Sequence, residues 1–168
     1  MKKIIYTLAF VAIALVSSNA QRIAIVDINA VLDAVPEYKV AQAEIDRIAA
    51  EWRQEISKEY DKIKSLYNKY QAEQVLLSED AKVERENEII KKEEEVRELQ
   101  KLKFGPEGEL FKKRQQMVTP IQDKVFSAIN DYAADRGFDL IFDKSGSAGL
   151  LFTSAEFDKT EDIIKRVK

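Results

Sequence analysis

The side chains in this chain that could do chemistry are carboxylates, amines and phenols. The 168 residues include no cysteine and no histidine. That excludes thiol catalysis, Ser-His-Asp chemistry and most zinc and haem sites, and no disulfide framework is available. Carboxylates are plentiful, with 30 Asp and Glu against 27 Lys and Arg. The densest run, Glu93-Glu94-Glu95, brings carboxylates together as a general acid and base would be brought together. It lies on a charged, solvated helix face, and nothing around it supplies the apolar burial that displaces a pKa. Asp27, at the end of an apolar run, could act as a base, but capping a helix is the weightier reading. None of the five glycines leads into a Gly-Lys-Ser/Thr ending, so no phosphate loop is expected. No basic patch is interleaved with aromatic residues, which argues against nucleic acid as a partner. No catalytic residue, metal site or cofactor is expected.

The elements follow from the apolar spacing. Residues 1–20 read as a secretory signal: Met1-Lys2-Lys3, an apolar run over 4–16, then Ser17-Ser18-Asn19-Ala20 with small residues before a cleavage point at Gln21. The apolar run is too short to span a bilayer, which needs about 20 residues. Cleavage there leaves 148 residues of net charge −5, since Lys2 and Lys3 leave with the signal. Residues 37–77 contain neither Pro nor Gly, and apolar side chains recur at threes and fours, with Gln74 filling the one missing seam position: Tyr38, Ala41, Ile45, Ile48, Trp52, Ile56, Tyr60, Ile63, Tyr67, Tyr70 and Leu77. This is a helical seam. Ser78-Glu79-Asp80 is a helix start, a hydroxyl cap followed by two acids. The chain therefore turns near 77–79 and returns as the second limb of a long antiparallel hairpin. Val83, Ile89, Ile90, Val96, Leu99 and Leu102 are the returning limb's apolar residues, so the tip has little to bury and should fray.

Phe104-Gly105-Pro106-Glu107-Gly108 breaks the returning limb. Counting outward from Ser78 sets this break opposite Trp52. Trp52, Phe104, Gly105, Pro106 and Gly108 are therefore candidate hinge residues, with a register-correcting bulge as an equally weighted alternative. A third helical segment follows, and Thr119-Pro120-Ile121-Gln122 predicts a kink or restart within it. Arg136-Gly137 stops that segment.

Short β-branched runs flank the hairpin. Residues 23–28 read as a strand buried on both faces, with Asp27 or Asn29 capping a helical turn over 30–34. Residues 138–142 and 149–153 read as two further strands forming a β-hairpin around the turn 144–147. Asp158-Lys159-Thr160-Glu161 is a capping box that opens a last helix. The expected organisation is a β-rich oligomerisation body from 21–36 and 130–168 and a helical-hairpin arm from 37–129. The fold class is α+β, with a long coiled-coil arm projecting from a small body. A body this small, with strands apolar on both faces, should close a shared core with other copies. Ile23, Ile25, Leu140, Phe142 and Leu151 are the candidate residues of that core.

Ile25-Val26-Asp27-Ile28-Asn29, Pro36-Glu37-Tyr38-Lys39, Pro120-Ile121, 137–143 and Asp158-Lys159-Thr160 occur in this order, around a charged helical hairpin and behind a signal. The set resembles the Skp (OmpH) family of periplasmic chaperones over the whole chain after the signal. The resemblance implies a jellyfish-like homotrimer, in which three arms enclose unfolded outer-membrane β-barrel proteins without ATP. This chain departs from the family pattern in its acidity, in the break at 105–108 and in Lys159. Over 55–98 it carries 9 basic and 13 acidic residues.

Three functions compete. The leading one is a periplasmic holdase whose candidate client contacts are Tyr60, Tyr67, Tyr70, Leu76, Val83 and Ile89. Packing between the limbs is the competing reading of these residues; it weighs more for Tyr67 and Tyr70 and equally for Leu76 and Val83. The second is an envelope spacer or adaptor whose coiled arms bind one fixed partner. The third, an enzyme, has no support in the residue pattern. Contact with a membrane surface is left open.

Overall fold

The computed structural model describes residues 21–146 and 149–168. The signal read over 1–20, and Ser147 of the turn, lie outside the described residues. Seven elements follow in order: β1 (Ile23–Val26), α1 (Ile28–Asp33), α2 (Pro36–Glu73), α3 (Glu79–Phe104), α4 (Glu109–Arg136), β2 (Leu140–Asp143) and α5 (Thr160–Val167). Most of the chain is helical, with one small two-stranded sheet. It divides into two units: Leu32–Phe126, and the described residues up to Val31 together with Ser127–Lys168.

In the unit Leu32–Phe126, α2 and α3 form the antiparallel hairpin. Pro36 opens α2, where its missing N–H costs nothing. The helix runs for 38 residues, about 57 Å at 1.5 Å per residue. Ser78 caps α3, its hydroxyl accepting the Ala81 N–H at 3.4 Å. The seam buries Ile56, Ile63, Ile89 and Val96, with Leu66, Tyr70, Leu99 and Phe104 packed against them. Its outgoing side thus steps Ile56, Ile63, Tyr70, with Leu66 between. Tyr60 and Tyr67, expected on the seam, are one position off it and are about half exposed, and so is Leu102. Three successive gaps of four, from Ile48 to Tyr60, rotate the apolar stripe off a heptad. Nearer its start α2 buries Ala41, Ile45 and Ala49, while the first part of α4 buries Val118 and Val125. Lys124 of α4 reaches to 3.9 Å from Glu37 of α2.

The restart expected at Thr119-Pro120 is absent: α4 runs unbroken through Pro120. The ring removes one hydrogen bond. Pro120 is exposed, so water can serve the freed carbonyl, and buried Val118 and Val125 on either side hold the helix in place.

In the other unit the expected β-hairpin is replaced by a parallel pairing. β1 and β2 align Ile23 with Leu140 and Val26 with Asp143. The segment 149–153 joins no ladder; Gly149, at φ +69°, turns the chain there. The opposite edge of β1 is taken instead by 157–159. Ile25 N–H donates to the Phe157 carbonyl at 2.8 Å, and the Ile25 carbonyl accepts from Lys159 N–H at 2.8 Å. β1 is therefore central, which is why Ala24, Ile25 and Val26 are buried. α4 ends in a left-handed Gly137, φ +64°. The Phe138 N–H bonds back to Ala133 O at 2.9 Å and Gly137 N–H to Ala134 O at 3.3 Å, the paired bonds of a glycine-terminated helix end. Tyr132 stacks on Phe138 with ring centroids 5.7 Å apart and donates to Asp162 at 2.8 Å.

Three aspartates tie the strand ends together. Asp27 caps α1 through Ala30 N–H at 2.9 Å. Asp143 accepts from the Ile28 and Ser145 amides and from the Ser145 hydroxyl. Asp158 accepts from the Thr160 amide and hydroxyl and pairs with Lys144 at 2.7 Å. The capping box expected at 158–161 is thus a shorter turn, in which Asp158 reaches the residue two positions on. The Thr160 hydroxyl in turn accepts Asp27 N–H at 2.9 Å, joining α5 to β1.

Burial raises the Asp158 carboxyl, but the hydrogen bonds from Lys144 and Thr160 outweigh it and bring the pKa down to about 2. Burial also raises Asp143, and the Ser145 and Ile28 donors more than reverse it, leaving its pKa lowered. A lowered carboxylate pKa stabilises the fold above the unfolded value and ceases to do so as pH falls through the folded one. This unit should therefore lose stability from about pH 4, where an unfolded Asp titrates, down to about pH 2. Urea unfolding across that range should show the loss, and Asp158→Asn should flatten it.

Candidate functional site

The hairpin carries the candidate client contacts, and the two sides of its helices fare differently. Ile89 was expected among the contacts. It is buried in the seam at 8% exposure and is not free to meet a partner. Tyr70 is half-buried against the same core and its hydroxyl donates to Glu86, so it too belongs to the seam. Tyr60 and Tyr67 stand off the seam, half exposed, and Tyr60 donates to Gln100 at 3.3 Å. Leu76 and Val83 are exposed near the tip. Val75 and Ile90, exposed alongside them, were not among the expected residues. Their signal was present in the sequence: each is an apolar residue next to a seam position and out of phase with it.

Around Tyr67 the hairpin has an open groove of ≈ 450 Å³ lined by Tyr67, Gln71, Gln74, Ile90 and Glu93 among others. A second, of ≈ 310 Å³, lies beside Tyr60, Arg53, Gln100 and Phe104. Exposed rings beside carboxamides offer apolar area and hydrogen bonds together, without demanding one shape of ligand.

The break between α3 and α4 is a short hydrogen-bonded turn. Gly105 N–H donates to Lys101 O at 2.8 Å, Gly108 N–H to Gly105 O at 2.9 Å, and Lys112 N–H to Gly108 O at 3.1 Å. Trp52 meets Phe104 edge-on, centroids 6.2 Å apart at 87°, so the pair that counting from Ser78 sets face to face is in contact. Lys103 lies 4.5 Å from the Trp52 ring centroid and pairs across the break with Glu109 at 2.6 Å. Arg53 covers the Phe104 ring at 5.9 Å. An open groove of ≈ 500 Å³ flanks the break, walled by Leu102, Pro106 and the two glycines. Neither glycine there has a positive φ; what they provide is room. A Cβ on Gly105 would lie 2.4 Å from Lys101 O, and one on Gly108 2.8 Å from Leu102 O.

In the β-containing unit, the expected core residues divide. Ile25 is buried within the chain and Ile23 half-buried. Leu140 and Phe142 on β2 are exposed at 46% and 43%, and Leu151 is fully open at 98%. Leu150, Phe152 and Phe157 are exposed with them and were not foreseen. Among the described residues no cluster of acidic side chains could hold a metal ion, and no helix is long and apolar enough to cross a membrane. Glu95, in the acidic run, is held below its ordinary pKa by the hydrogen bond from Lys92. A general acid needs the opposite shift.

The tight approach at the break sets an expectation for substitution there. Gly105→Ala should destabilise the unit by about 1–3 kcal/mol, the usual cost of overpacking against fixed backbone, instead of straightening the helix. Thermal unfolding followed by circular dichroism would show the loss, and hydrogen exchange would place it at 101–112.

The comparisons with known proteins come down on one family. No curated protein matches the chain. A solved structure from Caulobacter crescentus CB15, named as a candidate outer membrane chaperone of OmpH-like type, superposes with a TM-score of 0.68 at 11% identity, covering 90% of this chain and 86% of that one. At that identity the likeness speaks for the fold. The family model described as outer membrane protein (OmpH-like) matches residues 22–167, nearly the whole of the described chain, and on that match the protein belongs to the OmpH-like family of outer membrane proteins.

Proposed function

We propose that the protein is an ATP-independent holdase of the periplasm that encloses unfolded outer-membrane β-barrel proteins between helical arms. The single observation that carries this is the hairpin's surface. Apolar and aromatic side chains stand exposed at Tyr60 and Tyr67 on α2, Leu76 in the turn and Val83 on α3, spread along the hairpin. Each contact is weak and tolerant of its partner. Several within an enclosed volume raise the effective concentration of the rest, and the total becomes strong. A fixed partner would call for a compact apolar patch instead.

The arms are brought together by the β-containing unit. Leu140, Phe142, Leu150 and Leu151 are too much apolar surface to leave in water, and β2 has a free edge. Two further copies, making the three that the resemblance implies, would cover both. The family's name and the fold likeness support an envelope location, and the signal read over 1–20 would direct the chain there.

Excising 55–98 should leave the β-containing unit folded and oligomeric but abolish protection of a urea-diluted β-barrel protein, followed by light scattering. Undiminished protection would overturn the arm mechanism. Phe142→Asp places a charge where the copies would meet, at a cost of several kcal/mol. Sedimentation should then show monomers that retain their helicity, and an unchanged oligomer would remove Phe142 from the interface.

A further inference from the structure

The outermost turn of the hairpin combines two properties that together specify what it can hold. The first is apolar exposure. Val75 is 83% exposed, Leu76 85% and Val83 56%. The turn that presents them is ordered, with Leu76 N–H bonded to Glu73 O at 2.9 Å and Ser78 capping the next helix. Beyond Ile63 on α2 and before Ile89 on α3 the hairpin has no buried residue, so these three side chains have no core of their own to join.

The second property is the sign of the unpaired charge. Residues 69–88 carry three cations, Lys69, Lys82 and Arg85, against six carboxylates, and Lys82 and Arg85 are held in ion pairs, with Glu79 at 2.7 Å and with Glu88 at 2.9 Å. Asp80 and Glu84 are exposed and have no such cation among the described residues. The apolar cap therefore sits in a negative field. Within a Debye length of about 8 Å, that field favours a ligand that carries positive charge beside its apolar part. It opposes an anionic surface such as a bilayer of acidic phospholipid.

We propose that the arm tip is a docking surface for apolar segments of unfolded polypeptide flanked by Lys or Arg. The proposal rests on the holdase reading and names the part of a client that the tip engages first. Apolar burial on Val75, Leu76 and Val83 supplies the attraction. The acidic rim supplies the selection, since a Lys-flanked segment gains from Asp80 and Glu84 where an acid-flanked segment is repelled.

The test uses the intact protein and two peptides that share one Leu/Val core, flanked by Lys in one and by Glu in the other. Binding is read by fluorescence anisotropy, beside vesicles of anionic phospholipid. The Lys-flanked peptide should bind at least about tenfold tighter, and Val75→Ser with Leu76→Ser should remove about tenfold of its affinity, as expected for losing two apolar contacts. Asp80→Lys with Glu84→Lys should reverse the preference between the peptides, and added salt should shrink it. Circular dichroism should show the hairpin intact in both variants, because every replaced side chain is exposed. Equal binding of the two peptides would overturn the proposal, as would indifference to the Val75 and Leu76 changes or tip-dependent capture by anionic vesicles. If the tip variants still protect an unfolded β-barrel protein fully while excision of 55–98 abolishes protection, the holdase stands and the tip assignment falls. If the intact protein protects nothing, both fall.

Discussion

The hairpin depends on a very thin apolar seam. Ile56 and Ile63 on one helix and Ile89 and Val96 on the other are its buried residues, each pair seven apart. That spacing keeps them on one line along each helix. Leu66, Tyr70, Leu99 and Phe104 flank the seam half-buried, and the charge on the exposed faces is arranged locally. Arg47 with Glu44 and Glu51, Lys62 with Glu59, and Lys92 with Glu95 are pairs three or four residues apart on one helix. Exposed pairs of this kind contribute only tenths of a kcal/mol each. They keep the helices soluble and helical while leaving the seam to hold them together. A seam this narrow cannot also cover Tyr60, Tyr67 or the tip, so apolar surface is left in water along the hairpin's length.

The break between α3 and α4 shows how such a hairpin changes helix without coming apart. Helix continuity is lost at Gly105–Gly108, where Gly105 N–H closes the end of α3, Gly108 N–H bonds to Gly105 O within the turn, and Lys112 N–H to Gly108 O opens α4. Trp52, Phe104 and Lys103 pack or stack across it, and the Lys103–Glu109 pair bridges the two helices. The glycines admit the backbone at distances a methyl group would forbid. Their presence reads more naturally as a demand for space than as a source of looseness.

The β-containing unit is organised by a different economy. One short strand lies between β2 and the 157–159 segment, and the ends of all three are tied by carboxylates that accept backbone N–H groups. With so few residues, each hydrogen bond replaces ladder that a larger sheet would provide. β2 still presents Leu140 and Phe142 outward, and this remaining apolar face is the physical reason to expect further copies.

The sequence by itself determined the helical hairpin, its cap at Ser78, the break after Phe104 and the helix stop at Gly137. These depend on local rules: apolar period, hydroxyl and acid at a start, glycine at an end, proline inside. It also determined the ordered motifs on which the family likeness rests. Tertiary structure decided what local rules leave degenerate. Whether Leu66 or Tyr67 enters the seam turned on the rotation of the stripe through the gaps of four. Whether Ile89 was contact or core depended on the opposite helix. Pro120 stayed inside a helix because Val118 and Val125 on either side of it are buried, outweighing one missing hydrogen bond. The third place in the sheet went to 157–159 instead of 149–153 because β1 offered its edge to whichever segment the following helix brought alongside. That choice spans more than a hundred residues of chain, and no local pattern encodes it.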